Sequence, residues 1–206
     1  INALRNVALL AARAAAGPDA LVLQVDVDYI LPSWLQAELA RAAFPAEDVA
    51  VLPALALAAG APVPADLGAL WGLWRHQEAW AHPATCGFCG PFVTDQAAWW
   101  ARSLEEPPGP PYEVSPRPLG EYEPVVLGRA ARLPLFDEAF RGRGQNLRPM
   151  IQQLLVWGAR FWALPRACLL HRAPGAAGDL SSHEHWLRSE VVHALSELQL
   201  AGPAAG

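Results

Sequence analysis

Apolar positions along the chain switch between the period of a helix and runs of strand length. In residues 3–16 they follow the i, i+3, i+4, i+7 spacing of a helix, which Gly17 and Pro18 end. Two further helices are predicted, one from an N-cap at Ser33 to about residue 44 and one from Ser181 to about residue 198. Runs typical of strands occupy residues 21–25, 49–57, 125–127, 161–164 and 168–170. Strands that alternate with helices predict an α/β domain with a mostly parallel sheet.

The apolar run at residues 21–25 leads into two carboxylates, Asp26 and Asp28. An almost unbroken apolar run predicts a strand that is covered on both faces. Ligands of open α/β sheets lie just beyond the carboxyl ends of such strands. Because residues i and i+2 of a strand point to the same side, the two carboxylates can converge on Mn²⁺ or Mg²⁺. A D-x-D alone is a weak signal, and the alternative is an ordinary polar exit from the strand.

Length and composition are those of one folded unit. A chain of 206 residues with 53% hydrophobic content can bury a substantial core. A Pro- and Trp-rich insertion spans about residues 58–120, and its stretch 106–111 is predicted to be an exposed loop. Trp99, Trp100 and Trp157 are predicted to be core residues rather than exposed stacking platforms for a ligand. The net charge of −5 and the scattered arginines argue against nucleic-acid binding.

Several short motifs follow one another along almost the whole chain: residues 1–9 (INALRNVAL), the D-x-D, 31–33 (LPS), 51–54 (VLPA), 94–99 (TDQAAW), 122–126 (YEPVV), 134–146 (PLFDEAFRGRGQN) and 164–165 (LP) with His171. In this order they resemble glycosyltransferase family 49, which includes the glucuronyltransferase domain of the LARGE-type proteins. The resemblance implies a GT-A-type nucleotide-sugar glycosyltransferase fold, which is Rossmann-like with a mostly parallel sheet flanked by helices. Residues 1–206 are then expected to form a single, partial glycosyltransferase domain without its N-terminal part.

The same resemblance implies an enzyme and its partners. The expected reaction is an inverting, metal-dependent transfer of a sugar, with glucuronic acid first, from a UDP-sugar donor to an acceptor glycan or glycoprotein. Asp26, Asp28 and His171 are the expected ligands of the Mn²⁺ or Mg²⁺ ion, since two carboxylates and an imidazole suit Mn²⁺. The expected location is the lumenal side of the Golgi membrane, with a membrane anchor upstream of this chain.

Inversion requires a carboxylate that accepts the proton of the acceptor hydroxyl. The candidates are Asp137, Glu123 and Glu138, with Asp137 first because it precedes glycines whose backbone can approach a sugar closely. The alternative for Asp137 and Glu138 is that they cap the following segment. The candidate substrate-binding residues are Gly142, Gly144 and Asn146.

Several positions depart from the usual family pattern. The family's Phe-Glu pair is Leu55-Ala56 here, a histidine is replaced by Pro91, and the Asn-Lys pair ends in Leu147. The missing carboxylate at Ala56 affects the expected chemistry most. It leaves open an alternative function, that of a catalytically degenerate member that binds a glycan or a protein partner.

Three cysteines offer a second metal hypothesis. Cys86 and Cys89, with Cys168 and His171, spell C-x₂-C and C-x₂-H, the ligand types of a structural zinc site. Cys168 follows Cys89 by 79 positions, however, which is far more than in compact zinc modules. Two alternatives are one disulfide with a leftover thiol, which is favoured, and three free thiols. Because the zinc and manganese hypotheses both require His171, this residue discriminates between them.

Overall fold

The computed structural model describes residues 2–25, 29–81, 96–114, 124–139 and 147–172. Their elements in chain order are α1 (Asn2–Ala16), β1 (Leu21–Leu23), β2 (Tyr29–Ile30), α2 (Leu35–Arg41), β3 (Val49–Leu52), β4 (Ala54–Leu57), α3 (Leu67–Arg75), β5 (Ala79–Ala81), α4 (Gln96–Leu104), β6 (Tyr112–Val114), β7 (Val125–Arg129), a 3₁₀ turn (Ala130–Arg132), α5 (Arg148–Val156), β8 (Phe161–Ala163) and β9 (Leu169–Arg172). The helix predicted at 181–198 lies outside these ranges. None of the helices within them is long and apolar enough to cross a membrane.

The strands form two sheets, with the orders β1-β7-β3-β8-β6 and β2-β9-β4-β5. In the described part of the chain, β3–β8 and β4–β9 are parallel and the other five pairs are antiparallel. The fold is therefore mixed α/β, and the prediction of a mostly parallel sheet is wrong for these strands. One cause is β7, which lies between β1 and β3 and runs antiparallel to both. The alternation of strands and helices in a sequence does not reveal such a reversal of direction.

Pro53 divides the apolar run at 49–57 into two strands that belong to different sheets. A proline has no N–H to donate to a strand ladder, but the Pro53 carbonyl accepts a hydrogen bond of 2.9 Å from the Leu169 N–H. β3 pairs with β8 in the first sheet, and β4 pairs with β9 in the second. The run predicted as one strand thus carries the chain from one sheet to the other.

The central strand of the five-stranded sheet is β3, whose four residues are all buried. By contrast, β1 lies at the edge of this sheet and Leu21 is 41% exposed. The prediction that the run at 21–25 is covered on both faces is therefore wrong in the described structure. The apolar content of the two runs is similar, so burial depends here on the position of the strand in the sheet.

Helix α1 is present as predicted but buries the opposite face from the one its apolar pattern favours. Leu4 and Val7 are 74% and 62% exposed, respectively. The buried residues are Asn2, Asn6 and Leu9, which share one face at the i, i+4 and i+7 positions. The orientation follows from hydrogen bonds between the asparagine side chains and the segment after β7.

Tryptophans join α3 and α4 within the predicted insertion. Trp100 is fully buried, and its ring centroid lies 5.0, 5.2 and 4.9 Å from those of Trp71, Trp74 and Trp99, respectively. Tilted and edge-to-face contacts at these distances are favourable for aromatic rings. The predicted core role is therefore confirmed for Trp99 and Trp100. It is wrong for Trp157, which is 49% exposed after the end of α5.

Two local predictions concern Ser33 and the proline-rich loop. Helix α2 starts after Trp34, which provides no side-chain cap, and the Ser33 hydroxyl instead donates to the Ala65 carbonyl at 3.2 Å. The predicted N-cap is thus wrong although the helix exists. Residues 106–111 contain neither helix nor strand and are mostly exposed, which confirms the loop.

Candidate functional site

His171 lies within the four-stranded sheet, between two other strands. It is directly opposite Tyr29 on the antiparallel strand β2 and in register with Ala56 on the parallel strand β4. Side chains of directly paired residues share a face of the sheet, so these three form one row. The imidazole is half-buried, and its centroid lies 5.6 Å from that of the Tyr29 ring in an edge-to-face contact.

The two carboxylates of the D-x-D, Asp26 and Asp28, lie outside the described residues. The described chain resumes at Tyr29, the residue after Asp28, and Tyr29 is the strand partner of His171. Two carboxylates and one imidazole are a donor set that Mn²⁺ accepts, so these residue types fit a divalent cation. Among the side chains that the structure describes, no group of three or more His, Cys, Asp and Glu could hold a metal.

Two asparagines of helix α1 hold the segment that contains Asp137 by hydrogen bonds. The Asn6 Oδ1 atom accepts from the Phe136 N–H at 2.7 Å, and the Asn6 Nδ2 atom donates to the Phe136 carbonyl at 2.9 Å. The Asn2 Nδ2 atom donates to the Asp137 carbonyl at 2.7 Å. Both asparagines are buried, so their hydrogen bonds are largely shielded from water.

The carboxylates of Asp137 and Glu138 belong to exposed residues and have different local contacts. The Asp137 Oδ1 atom accepts from the Ala139 N–H at 2.9 Å, which is the contact expected of a residue that caps the following segment. The Glu138 Oε1 atom accepts from the Asn6 Nδ2 atom at 2.9 Å. Each side chain can still meet a substrate from the solvent side.

The remaining residues of the predicted site lie outside the described ranges. These residues are Glu123, Gly142, Gly144 and Asn146, together with Pro91 among the departures from the family pattern. Leu147 is described, and it is half-buried against the apolar cluster that contains Met150 and Ile151 of α5. The residue that replaces the family's lysine therefore has a packing role in this chain.

Cys168, the described cysteine of the zinc hypothesis, is a free and fully buried thiol. It packs in an apolar cluster with Leu55, Trp100 and Leu170. Burial raises the pKa of the Cys168 thiol far above its ordinary value, whereas zinc binds the thiolate form. These surroundings are those of a packed structural cysteine. Cys86 and Cys89 lie outside the described residues, so the state of their thiols stays open.

Asp48 is a buried carboxylate that no sequence motif singled out. It accepts hydrogen bonds from the Arg160 N–H and Nε at 2.9 and 3.0 Å and from the Trp162 Nε1 at 2.9 Å. Burial alone would raise its pKa, but these hydrogen bonds and the Arg160 charge more than offset burial, so the pKa lies below its ordinary value. Asp48 therefore fastens the start of β3 to β8 as a carboxylate.

The asparagines of α1 were also missed as site residues. Asn2 and Asn6 stand one turn apart in a helix whose neighbouring positions are mostly apolar. Because asparagine is a poor helix former that competes for backbone hydrogen bonds, its repetition at i and i+4 was the available signal. Two asparagines with this spacing indicate a polar face of the helix that contacts another part of the chain.

Two comparisons with known proteins bear on the family of this chain. The family model described as "Glycosyl-transferase for dystroglycan" matches residues 1–194. The chain is also 30% identical to beta-1,4-glucuronyltransferase 1 of Danio rerio over 191 residues, which cover 89% of this chain and 42% of that relative. The chain therefore spans less than half the length of this relative.

Proposed function

Because the chain belongs to glycosyltransferase family 49, we propose that it transfers a sugar from a UDP-sugar donor to an acceptor glycan or glycoprotein. Glucuronic acid is the proposed sugar, since the relative from Danio rerio is named as a glucuronyltransferase. The proposed location is the lumenal side of the Golgi membrane, which rests on the family resemblance. A GT-A-type, Rossmann-like arrangement is the fold proposed for the whole catalytic domain.

The donor site is proposed at the strand pairing of Tyr29 with His171, the one observation that carries this assignment. Asp26, Asp28 and His171 would hold Mn²⁺ or Mg²⁺, and the support is that Asp28 directly precedes Tyr29 in the chain. When bound, such a cation neutralises the charge that develops on the departing diphosphate. His171 contributes a nitrogen ligand from a strand flanked on both sides, so its backbone position is fixed in advance.

Asp137 is proposed as the residue that accepts the proton of the attacking hydroxyl, with Glu123 as the second candidate. In an inverting transfer this carboxylate acts on the face of the sugar opposite the leaving group. The support is that Asp137 is exposed while its backbone is held by Asn2. The substrate contacts are proposed for the residues that follow in the same motif, namely Gly142, Gly144 and Asn146.

Calorimetric titration of the full-length protein with UDP, with and without Mn²⁺, tests the donor site. We expect Mn²⁺-dependent binding, and Asp28→Ala should abolish that dependence while the circular dichroism spectrum stays unchanged. UDP binding that is indifferent to Mn²⁺ in the parent protein would contradict the metal site.

Transfer assays with a panel of UDP-sugars, starting with UDP-glucuronic acid, test the reaction. Asp137→Asn should leave UDP binding nearly unchanged and suppress transfer, because an amide keeps the shape but cannot take the proton. Asp19→Asn is the matched control, since Asp19 is also an exposed aspartate and lies in the turn before β1. Equal transfer by the Asp137→Asn variant and the control would remove Asp137 from the proposed mechanism.

A second function, glycan or partner binding without catalysis, is favoured by the surroundings of Ala56. This residue is 1% exposed and in register with His171, at the position where the family usually carries a glutamate. A methyl group cannot supply the charge or the hydrogen bonds of that carboxylate. Metal-dependent UDP binding without consumption of any donor would support the binding function, and recovery of turnover by Ala56→Glu would identify this position as the cause.

A further inference from the structure

The side chain of Asn6 forms the hydrogen bonds with the segment after β7 that a residue of a neighbouring β-strand would form. Its carboxamide accepts from the N–H and donates to the carbonyl of the same residue, Phe136, at 2.7 and 2.9 Å. This double hydrogen bond is the pattern of a directly paired residue in an antiparallel ladder. The same Nδ2 group also donates to the Glu138 Oε1 atom at 2.9 Å.

Asn2 and Arg13 extend this contact along one face of α1. Asn2 donates to the Asp137 carbonyl at 2.7 Å, and the Arg13 Nε atom donates to the Ala130 carbonyl, also at 2.7 Å. The helix thus holds the backbone at 136 and 137 and one carboxylate at 138. It therefore holds the chain by hydrogen bonds between the end of β7 and the acidic residues Asp137 and Glu138.

Burial of the helix does not by itself require these amides. An apolar residue at position 2 or 6 would bury the same face without the cost of desolvating polar groups. The apolar residues Leu4 and Val7 instead stand exposed on the outer face. What the amides add is direction, because hydrogen bonds fix the orientation of a backbone and a carboxylate in a way that apolar contact does not.

We propose that Asn6, supported by Asn2, is a positioning residue that holds residues 136–138 in the orientation needed for proton transfer from the acceptor hydroxyl. This inference rests on the proposed function. It assigns to α1 a task at the acceptor side of the site, separate from the donor side at His171. The carboxylate of Glu138 is oriented directly by Asn6, and that of Asp137 indirectly, because Asn2 holds the Asp137 carbonyl.

The test compares Asn6→Ala, Asn6→Asp and Leu9→Ala in the full-length protein. Asn6→Asp keeps the shape and the acceptor oxygen but loses the donor, and Asn6→Ala loses both. Leu9→Ala is the matched control, because Leu9 is buried on the same face of α1 and has an apolar side chain that cannot hydrogen-bond the segment. The readouts are hydrogen exchange at the Phe136 amide, Mn²⁺-dependent UDP affinity, and kcat with the KM for the donor.

We expect exchange at the Phe136 amide to become about tenfold faster in Asn6→Ala, which corresponds to one lost hydrogen bond. Both Asn6 variants should lower kcat by up to about a hundredfold through misplacement, while UDP affinity and donor KM stay unchanged. Leu9→Ala should lower the unfolding temperature and leave kcat unchanged below it. Equal losses of kcat in Asn6→Ala and Leu9→Ala, or unchanged exchange at Phe136, would overturn the proposal. A parent protein without transferase activity would instead contradict the proposed function, and the exchange rate at Phe136 would still decide whether Asn6 holds the segment.

Discussion

Tyr29 and His171 face each other across the antiparallel strands β2 and β9, and their rings meet edge to face with centroids 5.6 Å apart. Backbone pairing therefore sets the position of His171, and the tyrosine ring limits the orientations of its imidazole. Asp28 directly precedes Tyr29 in the sequence, and the proposed donor site rests on this neighbourhood. This relationship gives the donor-site hypothesis its most direct test.

We expect His171→Ala to weaken Mn²⁺ binding by more than about tenfold, since loss of even an outer-shell partner commonly costs that much. Electron paramagnetic resonance of free Mn²⁺ measures the change. His76→Ala is the control, because His76 is an exposed histidine at the end of α3. Equal Mn²⁺ affinities of the two variants would exclude His171 as a ligand.

The inverted orientation of α1 makes a second prediction. Leu9→Ala should lower the free energy of unfolding by about 2–5 kcal/mol, because Leu9 is 3% exposed and packs in the core. Leu4→Ser should change it by less than about 0.5 kcal/mol, although both substitutions remove a leucine. Urea denaturation measures both values. If Leu4→Ser lowered the free energy of unfolding by more than this amount, the apolar face of α1 would be covered in solution.

Helix α1 also illustrates what a sequence pattern can and cannot predict. Its length and its end at Gly17 follow from local chemistry, and Gly17 has a positive φ of 87° with its N–H bonded to the Arg13 carbonyl. The choice of the buried face depends on Phe136 and Asp137, which lie far along the chain. A hydrophobic pattern carries no information about such partners, so it does not identify the face of α1 that is buried.

The candidate site likewise has parts that the sequence predicts and parts that it does not. The places of β3, β4, β8 and β9 were predictable from their apolar runs, whereas His171 as a metal ligand comes from the family resemblance and stays a prediction. The row formed by Tyr29, His171 and Ala56 was not predictable, because it depends on the break at Pro53. That break moves β4 into the second sheet, where its register with β9 is established.

Burial of Cys168 makes a third prediction. With its thiol fully buried and the pKa raised, Cys168 should not react with N-ethylmaleimide in the native protein and should react after denaturation. Mass spectrometry of tryptic peptides measures the labelling. Rapid native labelling would contradict the packing described here, and protection that is lost on chelation of zinc would revive the zinc hypothesis.

The fourth prediction concerns the pH dependence of Asp48. Its pKa in the folded protein lies below the ordinary value of 3.8, so the unfolded state binds the proton first as the pH falls. The stability that this carboxylate contributes is therefore complete well above pH 3.8 and is lost as the pH falls through the folded-state pKa.

At neutral pH, Asp48→Asn should lower the free energy of unfolding by about 1.5–3 kcal/mol, the range for hydrogen bonds to a charged group. The ion pair itself adds little, because the Arg160 side chain is 49% exposed and solvent screens its charge. The difference in the free energy of unfolding between the parent protein and Asp48→Asn should become smaller on acidification. Chemical denaturation at a series of pH values measures it. Asp19→Asn, at an exposed aspartate, should show no such difference at any pH. The difference in the free energy of unfolding for Asp48→Asn could instead stay constant down to the lowest pH at which the protein folds. That result would mean that packing around Asp48, rather than its negative charge, joins β3 to β8.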